Sequence, residues 1–360
     1  TIYYTIDGST PTTSSNVYNG PITIEPTKRT VINAIAVKTE TDPDYEWLNS
    51  ELASGTYNDN TMVIFIKDGN WSNPNNWSSG YVPNKNGRAA IGANLTIANG
   101  EKAEIAYITN VPSSYYTAGT ITIEDGGQLI AGEAAIENVK VKKEIAGHGG
   151  TNGGWYAISS PMANHTIENF IPAGENYDFY SWSEFNSSWY NQKKDNSMTN
   201  EFYTDNGTEF IEGRGYLVAY ENEGYKKFLG TLNNGDVTYP LSCSTDGEFV
   251  IEKYTGFNLL GNPYPSYIDW EAEGWTRDML ELQTVWIYDD DVNNYITYTL
   301  GGVATNGGSQ YIAPCQGFFV KAKTPGDFVM TNDIRTRTKS AFRKDNDENI
   351  FKVRVNGASG

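Results

Sequence analysis

The 360-residue chain has very few of the residues on which most catalytic and metal sites depend. It contains two histidines and two cysteines, and the spacing of Cys243 and Cys315 fits no metal motif. The two cysteines are compatible with two thiols or with one disulfide. No zinc-binding His-Glu-x-x-His motif, nucleophile elbow or phosphate-binding glycine loop is present. The sequence therefore predicts a protein that is not an enzyme.

Long apolar runs and basic residues are also scarce. No stretch of 18 apolar residues occurs, which excludes a transmembrane helix within this sequence. There are 44 acidic and only 26 basic residues, so the formal net charge is −18. Such a surface repels nucleic-acid phosphates and anionic membranes. We therefore expect no nucleic-acid partner and no membrane insertion, and we expect the charge to serve solubility outside the cell.

The residues that are abundant favour an all-β protein. Aromatic residues make up 13% of the chain, and it holds 25 tyrosines and 36 glycines. Together with the many Thr, Val, Ile and Asn residues, this composition favours strands and turns over helices. The length predicts several domains, each with enough apolar residues to form a core.

The first residues carry a recognisable motif. Residues 3–11 read YYTIDGSTP, and related stretches follow at 18–22 and 31–37. This region resembles the C-terminal immunoglobulin-like domain of chitobiases and β-hexosaminidases. The resemblance implies a partial immunoglobulin-like sandwich at 1–59, an accessory module without chemistry of its own. Because the motif lies inside the domain in that family, we expect the true N-terminus to be missing here.

The sequence pattern of residues 60–145 predicts a short right-handed β-helix. Short apolar strands alternate with Asn-Gly and Gly-Gly turns, a spacing that suits the rungs of a small stack. Trp71 and Trp77 stand at its start, and we expect them to cap its core.

Residues 146–340 contain an internal duplication. Gly154 and Gly256 begin similar stretches 102 residues apart, and Gly215 and Gly317 repeat the same offset. We predict a duplicated, jelly-roll-like β-sandwich region, with repeat A at 146–245 and repeat B at 246–340. Residues 341–360 predict the start of a further, truncated β-domain.

Repeat B indicates the biological setting. Residues 256–270 and 316–320 resemble a module of large exported proteins from Bacteroidetes bacteria. The resemblance covers about residues 150–340 and implies a secreted protein at the bacterial outer surface. That family has no defined biochemical activity, so the resemblance indicates a location more than a function.

The aromatic residues of repeat A form the candidate ligand site. Trp182, Trp189 and Tyr190 flank a polar turn, and flat aromatic rings stack on the apolar faces of sugars. Trp182 and Trp189 also have aromatic counterparts at Tyr288 and Tyr295, which favours core packing instead. Both interpretations stay open at this point.

An acidic hairpin offers a possible calcium site. Asp289, Asp291 and Asn293 alternate along it, and Ca²⁺ prefers such oxygen ligands. The run lacks the spacing of a known calcium loop, so a solvated turn is the favoured interpretation. No other cofactor is expected.

We therefore expect a non-catalytic binding or adhesion region of a secreted bacterial cell-surface protein. Its expected ligand is a glycan or a surface protein, and its expected state is a monomer. One alternative is an architectural spacer that holds a functional domain outside this fragment. Another is an accessory region of a glycoside hydrolase, but the sequence singles out no catalytic pair among its 44 acidic residues.

Overall fold

The computed structural model describes residues 1–23, 30–38, 49–57, 62–111, 119–148, 154–171, 174–193, 200–244, 251–290 and 292–338. Strands dominate these residues, and the predicted all-β class is confirmed. Among them, no helix is long and apolar enough to cross a membrane. The further β-domain predicted at 341–360 lies outside the described residues.

The N-terminal module is a four-stranded antiparallel sheet in the order β2-β1-β3-β4. Its strands are β1 (Ile2–Thr5), β2 (Asn16–Val17), β3 (Thr30–Ala36) and β4 (Ala53–Tyr57). The Asp-Gly turn after β1 is held by Asp7, whose carboxylate accepts hydrogen bonds from the Ser9 backbone (3.0 Å) and hydroxyl (2.6 Å). Gly8 has a φ of +83°, a conformation that favours glycine.

The next segment stacks parallel strands into two sheets. Its elements are β5 (Met62–Phe65), β6 (Gly69–Asn70), a 3-10 turn (Pro74–Asn76), β7 (Arg88–Ile91), β8 (Leu95–Ile97), β9 (Lys102–Asn110), β10 (Ile121–Ile123), β11 (Gln128–Ala135) and β12 (Val139–Ile145). Strands β5, β7, β9 and β11 form one parallel stack, and β6, β8, β10 and β12 form the other. Leu95, Ile121 and Val139 lie in register and are buried. This stacking is the arrangement expected of a β-helix.

Two tryptophans close the first rung of this stack. Trp71 and Trp77 are both buried, and their ring centroids lie 4.9 Å apart in an edge-to-face contact. The Trp77 indole N–H donates to the Trp71 carbonyl over 2.9 Å. Their burial agrees with the expected capping role.

The first repeat region is built around a four-stranded antiparallel sheet in the order β13-β17-β15-β16. Its elements are β13 (Tyr156–Ile158), β14 (Met162–Ala163), α1 (Ile167–Phe170), β15 (Tyr177–Ser183), β16 (Ser188–Asn191), α2 (Glu201–Asn206), β17 (Tyr216–Tyr220), β18 (Gly224–Leu232) and β19 (Val237–Leu241). Strand β18 pairs with β12, so it extends one of the parallel stacks with an antiparallel strand.

The second repeat region contains a five-stranded antiparallel sheet in the order β20-β26-β22-β23-β24. Its elements are a 3-10 turn (Glu252–Tyr254), β20 (Phe257–Gly261), β21 (Tyr267–Asp269), β22 (Leu280–Asp289), β23 (Asn294–Thr299), β24 (Val303–Thr305), β25 (Tyr311–Ile312), β26 (Gly317–Ala322), β27 (Gly326–Met330), a 3-10 turn (Asn332–Ile334) and β28 (Arg335–Thr336). Strand β27 pairs with β19, and β21 pairs with both β25 and β28.

The two repeats contact each other through equivalent positions. The Ser159 N–H donates to the Cys315 carbonyl over 2.9 Å, and the Gly261 N–H donates to the Gly213 carbonyl over 2.9 Å. Ser159 and Gly261 are 102 residues apart, and so are Gly213 and Cys315. The two bonds thus join equivalent positions of the repeats, and the interface has an approximate two-fold relationship. A side chain at Gly261 would place its Cβ 2.1 Å from the Ser159 Cβ, so glycine is required for this close approach.

Two hydrophobic cores lie behind these sheets. One core joins the parallel stacks to the first repeat, and the other fills the second repeat. The pairing of β12 with β18 and of β19 with β27 links neighbouring predicted units by backbone hydrogen bonds. The domain boundaries at 59, 145, 245 and 340 stay a prediction.

Candidate binding cleft between the repeats

The hairpin of β15 and β16 brings two tryptophans onto one face of the first sheet. Trp182 and Trp189 are directly paired across the hairpin. Directly opposed residues point to the same side of an antiparallel sheet. Their ring centroids accordingly lie 5.2 Å apart in an edge-to-face contact.

The second repeat carries the same aromatic pattern. Tyr288 and Tyr295 are paired across the β22–β23 hairpin, with ring centroids 5.6 Å apart. A second contact is also duplicated: Trp155 packs on Tyr180 at 5.8 Å, and their counterparts pack at 5.4 Å. Those counterparts are Phe257 and Trp286. Each repeat therefore presents four aromatic rings in the same arrangement.

The two aromatic faces enclose a cleft between the repeats. Its main cavity has a volume of about 550 Å³ and is lined by Trp182, Ser187, Trp189, Lys253, Tyr254, Phe257, Trp286, Tyr295 and Phe319. An adjoining space of about 180 Å³ shares Trp189, Trp286, Tyr295 and Phe319 with it and adds Trp155, Ala157, Leu217, Leu259, Tyr288 and Phe318. The two spaces therefore adjoin each other, and we call them together the cleft.

Hydrogen bonds across the repeat interface fix one wall of the cleft. The Trp182 indole N–H donates to the Phe257 carbonyl over 2.6 Å. Arg214, which forms an ion pair with Asp205, donates to the Trp182 carbonyl over 3.1 Å. The backbone on both sides of this wall is thereby held in place.

The Glu184 carboxylate anchors the same wall from within the protein. It accepts hydrogen bonds from the backbone N–H groups of Gly256 (2.7 Å) and Ser244 (2.9 Å). Glu184 is only 5% exposed, so these bonds replace the water that its charge would otherwise bind. The carboxylate thus joins the β15–β16 turn of the first repeat to the start of β20.

Other rings in the cleft keep their polar edges available. Among the described residues, the indole N–H groups of Trp189 and Trp286 have no hydrogen-bond acceptor. Tyr254 and Tyr295 are more than a third exposed. Burial, with the neighbouring Tyr288 and Tyr254, raises the pKa of Tyr295, so its hydroxyl stays protonated at neutral pH. The cleft therefore combines flat apolar faces with hydrogen-bond donors.

Within the described lining of the cleft there is one cation and no carboxylate. Lys253 belongs to the 3-10 turn before β20, and its ammonium lies 4.6 Å from the centre of the Tyr254 ring. This contact is a cation–π interaction. Among the described residues that line the main cavity, Ser187 is the only other polar, non-aromatic one.

Tyr190 lies away from the cleft. It follows Trp189 in β16, so its side chain points to the opposite face of the sheet and packs against the first core. Its hydroxyl accepts a hydrogen bond from the Asn186 amide. The structure thus brings Trp182 and Trp189 together but not Tyr190, and the ligand-binding role assigned to all three stays a prediction.

Several cleft residues escaped the sequence reasoning, namely Tyr254, Phe257, Trp286 and Phe319. A signal for two of them was available in the duplication, because Phe257 and Trp286 are the counterparts of Trp155 and Tyr180. The sequence argument for core packing rests instead on the counterparts of Trp182 and Trp189, which are Tyr288 and Tyr295. In the structure Trp182, Trp189 and Tyr295 line an opening.

The proposed calcium hairpin is only partly described. Asp289 is buried at the end of β22, while the side-chain carbonyl of Asn293 accepts a hydrogen bond from Tyr288 over 3.1 Å. Asp291 lies outside the described residues. Among the residues whose placement is described, no group of three or more His, Cys, Asp or Glu side chains could hold a metal ion.

The remaining reactive side chains lie outside the cleft lining. Cys243 and Cys315 are both free thiols, and burial raises the pKa of Cys315 to about 12. His165 is buried and stacks on Phe210 at 5.5 Å between ring centroids. Burial lowers its pKa, so the ring is neutral at pH 7.

Two known protein families match different parts of this chain. Residues 1–45 match the chitobiase/β-hexosaminidase C-terminal domain, which confirms the predicted resemblance and fits an accessory, non-catalytic region of a glycoside hydrolase-like protein. Residues 90–355, which include both repeats and the cleft, match a domain of unknown function (DUF8693). The chain belongs to this family. No curated protein and no solved structure matches the chain.

Proposed function

We propose that this chain is a non-catalytic glycan-binding region and that the cleft between the repeats is its binding site. One observation carries the proposal: an opening of about 550 Å³ lies where two aromatic faces meet. Protein interiors are close-packed and leave few voids larger than a water molecule. Rings that served only to pack the repeats together would close this space.

The chemistry of the lining suits a sugar. The apolar C–H face of a pyranose ring stacks on Trp and Tyr rings, while indole and phenol groups donate hydrogen bonds to its oxygens. Trp189 and Trp286 stand on different repeats and offer both features. A saccharide held between them would contact both repeats at once.

The residues described at this site favour binding of a glycan without its cleavage. Glycoside hydrolysis typically uses two carboxyl groups that flank the scissile bond. The described lining of the cleft contains neither Asp nor Glu. We therefore propose a binding or adhesion role, in keeping with the accessory-module match at residues 1–45.

We further propose that the protein is a monomer at the outer surface of a bacterium, where its ligand is a glycan or a glycosylated surface protein. The acidic composition and the resemblance of residues 150–340 to exported Bacteroidetes modules support this setting. Surface proteolysis of intact producing cells, followed by immunodetection, tests the location. Sedimentation equilibrium tests the monomer.

The binding proposal is tested by a glycan-array screen, with affinities then measured by isothermal titration calorimetry. Trp189→Ala removes a cleft ring that makes no hydrogen bond among the described residues, so the fold should survive, as checked by circular dichroism. Tyr225→Ala is the matched control, because Tyr225 is 52% exposed on β18 and does not line the cleft. We expect binding in the wild type and the control and a loss of at least about tenfold in Trp189→Ala.

Two results would contradict the proposal. Undiminished binding by a folded Trp189→Ala variant would place the glycan elsewhere on the chain. Absence of binding to every glycan on the array would favour the spacer role, in which the repeats position another domain.

A further inference from the structure

The charge distribution in the cleft narrows the class of glycan. We infer that the cleft selects acidic saccharides, with a carboxylate or sulfate group placed at Lys253. This inference rests on the proposed glycan-binding function and specifies its ligand.

Lys253 is available to a ligand in a way that a nearby lysine is not. Lys321, whose ammonium lies 5.6 Å from the Phe257 ring, forms an ion pair with Glu281 at 2.7 Å. Lys253 has no ion pair with any described residue, and its ammonium lies over the face of Tyr254. A ligand anion would thus meet an ammonium group without displacing a carboxylate partner.

The surroundings of Lys253 are unusual for so acidic a chain. The net charge is −18, yet no carboxylate appears in the described lining of either space. Glu184, close behind the wall, is turned inward and accepts bonds from Gly256 and Ser244. Among the described residues of the lining, the ammonium of Lys253 is therefore the single formal charge that a ligand meets. The acidic surface beyond it would oppose anionic ligands that do not reach Lys253.

The opposite end of the cleft recognises no charge. Its additional lining consists of aliphatic and aromatic side chains, among them Ala157, Leu217 and Leu259. Placing an ionised group there would carry a desolvation cost without a compensating partner. The acidic group is thereby directed to the Lys253 end, which fixes the direction in which a saccharide lies.

The test compares tetragalacturonic acid with its full methyl ester, in which every carboxylate is replaced by an uncharged ester. Calorimetry at low ionic strength gives the ratio of their dissociation constants. A chondroitin sulfate tetrasaccharide and its desulfated form provide a second pair that separates sulfate from carboxylate recognition. The variants are Lys253→Gln and, as a control, Lys227→Gln, which removes an exposed lysine on β18 outside the cleft.

We expect the wild type and Lys227→Gln to bind the acid roughly five- to tenfold more tightly than the ester, a preference that added salt weakens. Lys253→Gln should bind both ligands equally. The sulfated and desulfated chondroitin ligands should differ in affinity only if the site prefers sulfate.

Four outcomes would overturn the inference, and only the last of them also overturns the glycan-binding function. Equal binding of acid and ester by the wild type, or a preference that persists in Lys253→Gln, removes charge selection while leaving glycan binding intact. Binding of neutral array glycans alone does the same. Absence of any saccharide binding overturns the selection together with the function on which it rests.

Discussion

The indole nitrogen of Trp182 donates a hydrogen bond to the backbone carbonyl of Phe257 over 2.6 Å, and this bond connects the two repeats at the wall of the cleft. The same tryptophan packs edge-to-face on Trp189, whose indole N–H has no acceptor among the described residues. One ring of the pair thus holds the wall together, while the other stays available to a ligand.

This difference predicts unequal effects on stability. Trp182→Phe keeps an aromatic ring but removes the donor to the Phe257 carbonyl. Trp189→Phe removes a similar ring area without breaking a described hydrogen bond. We expect Trp182→Phe to lower the free energy of unfolding by about 1 kcal/mol more than Trp189→Phe does, as measured by urea denaturation. Equal losses would show that the bond contributes nothing to stability.

A larger effect is expected at Glu184. Glu184→Ala would leave the N–H groups of buried Gly256 and of partly buried Ser244 without their acceptor. We expect a loss of about 2–4 kcal/mol in the free energy of unfolding. Glu184→Gln keeps one carbonyl oxygen and should lose less. A Glu184→Ala variant as stable as the wild type would contradict the anchoring role.

His165 predicts a dependence of stability on pH. Its folded-state pKa lies below the ordinary value of about 6.5, chiefly because the ring is buried, while a backbone hydrogen bond at Leu229 acts in the opposite direction. The unfolded chain therefore binds the proton more readily than the folded one. The contribution of His165 to the free energy of unfolding is fully present above pH ~6.5. It is lost as the pH falls from there through the lower folded-state pKa.

The measurement is the free energy of unfolding in urea between about pH 7.5 and 5.5, a range above the ordinary pKa values of carboxyl groups. We expect His165→Gln to reduce the slope of the free energy of unfolding against pH by up to about 1.4 kcal/mol per pH unit relative to the wild type. A wild-type slope that persists in His165→Gln would assign it to other groups.

The two thiols should differ in reactivity. Cys315 is 1% exposed with a pKa near 12, whereas Cys243 is partly exposed and its pKa is raised, mainly by burial. Thiolates are the reactive form, so we expect Ellman's reagent to modify Cys243 slowly and to leave Cys315 intact in the folded protein. Both should react in guanidinium chloride without reductant. Loss of both thiols under those conditions would indicate a disulfide.

Much of the architecture followed from local patterns. The turn glycines between the short strands of residues 60–145 and the 102-residue offset between Gly154 and Gly256 predicted stacked rungs and a duplication. These signals are local or repeat at a fixed distance. They can be recognised in a sequence without any knowledge of long-range packing.

The cleft depended on information of another kind. Whether Trp182 and Trp189 face a core or an opening is decided by where the second repeat lies, and in particular by Phe257 and Trp286. The side on which Tyr190 lies depends on the pairing of Trp182 with Trp189, which is set by the length of the hairpin turn. Pairing register and the placement of one sheet on another are not encoded in a local pattern.

The central claim is that one glycan contacts both repeats at once, and the most direct test is to titrate a glycan identified on the array into Trp286→Ala. This variant removes a ring that the second repeat contributes to the lining of the cleft, while Trp189 belongs to the first repeat. We expect its affinity to fall at least about tenfold, as in Trp189→Ala, while Tyr225→Ala binds like the wild type. Wild-type affinity in a folded Trp286→Ala variant would contradict a shared cleft.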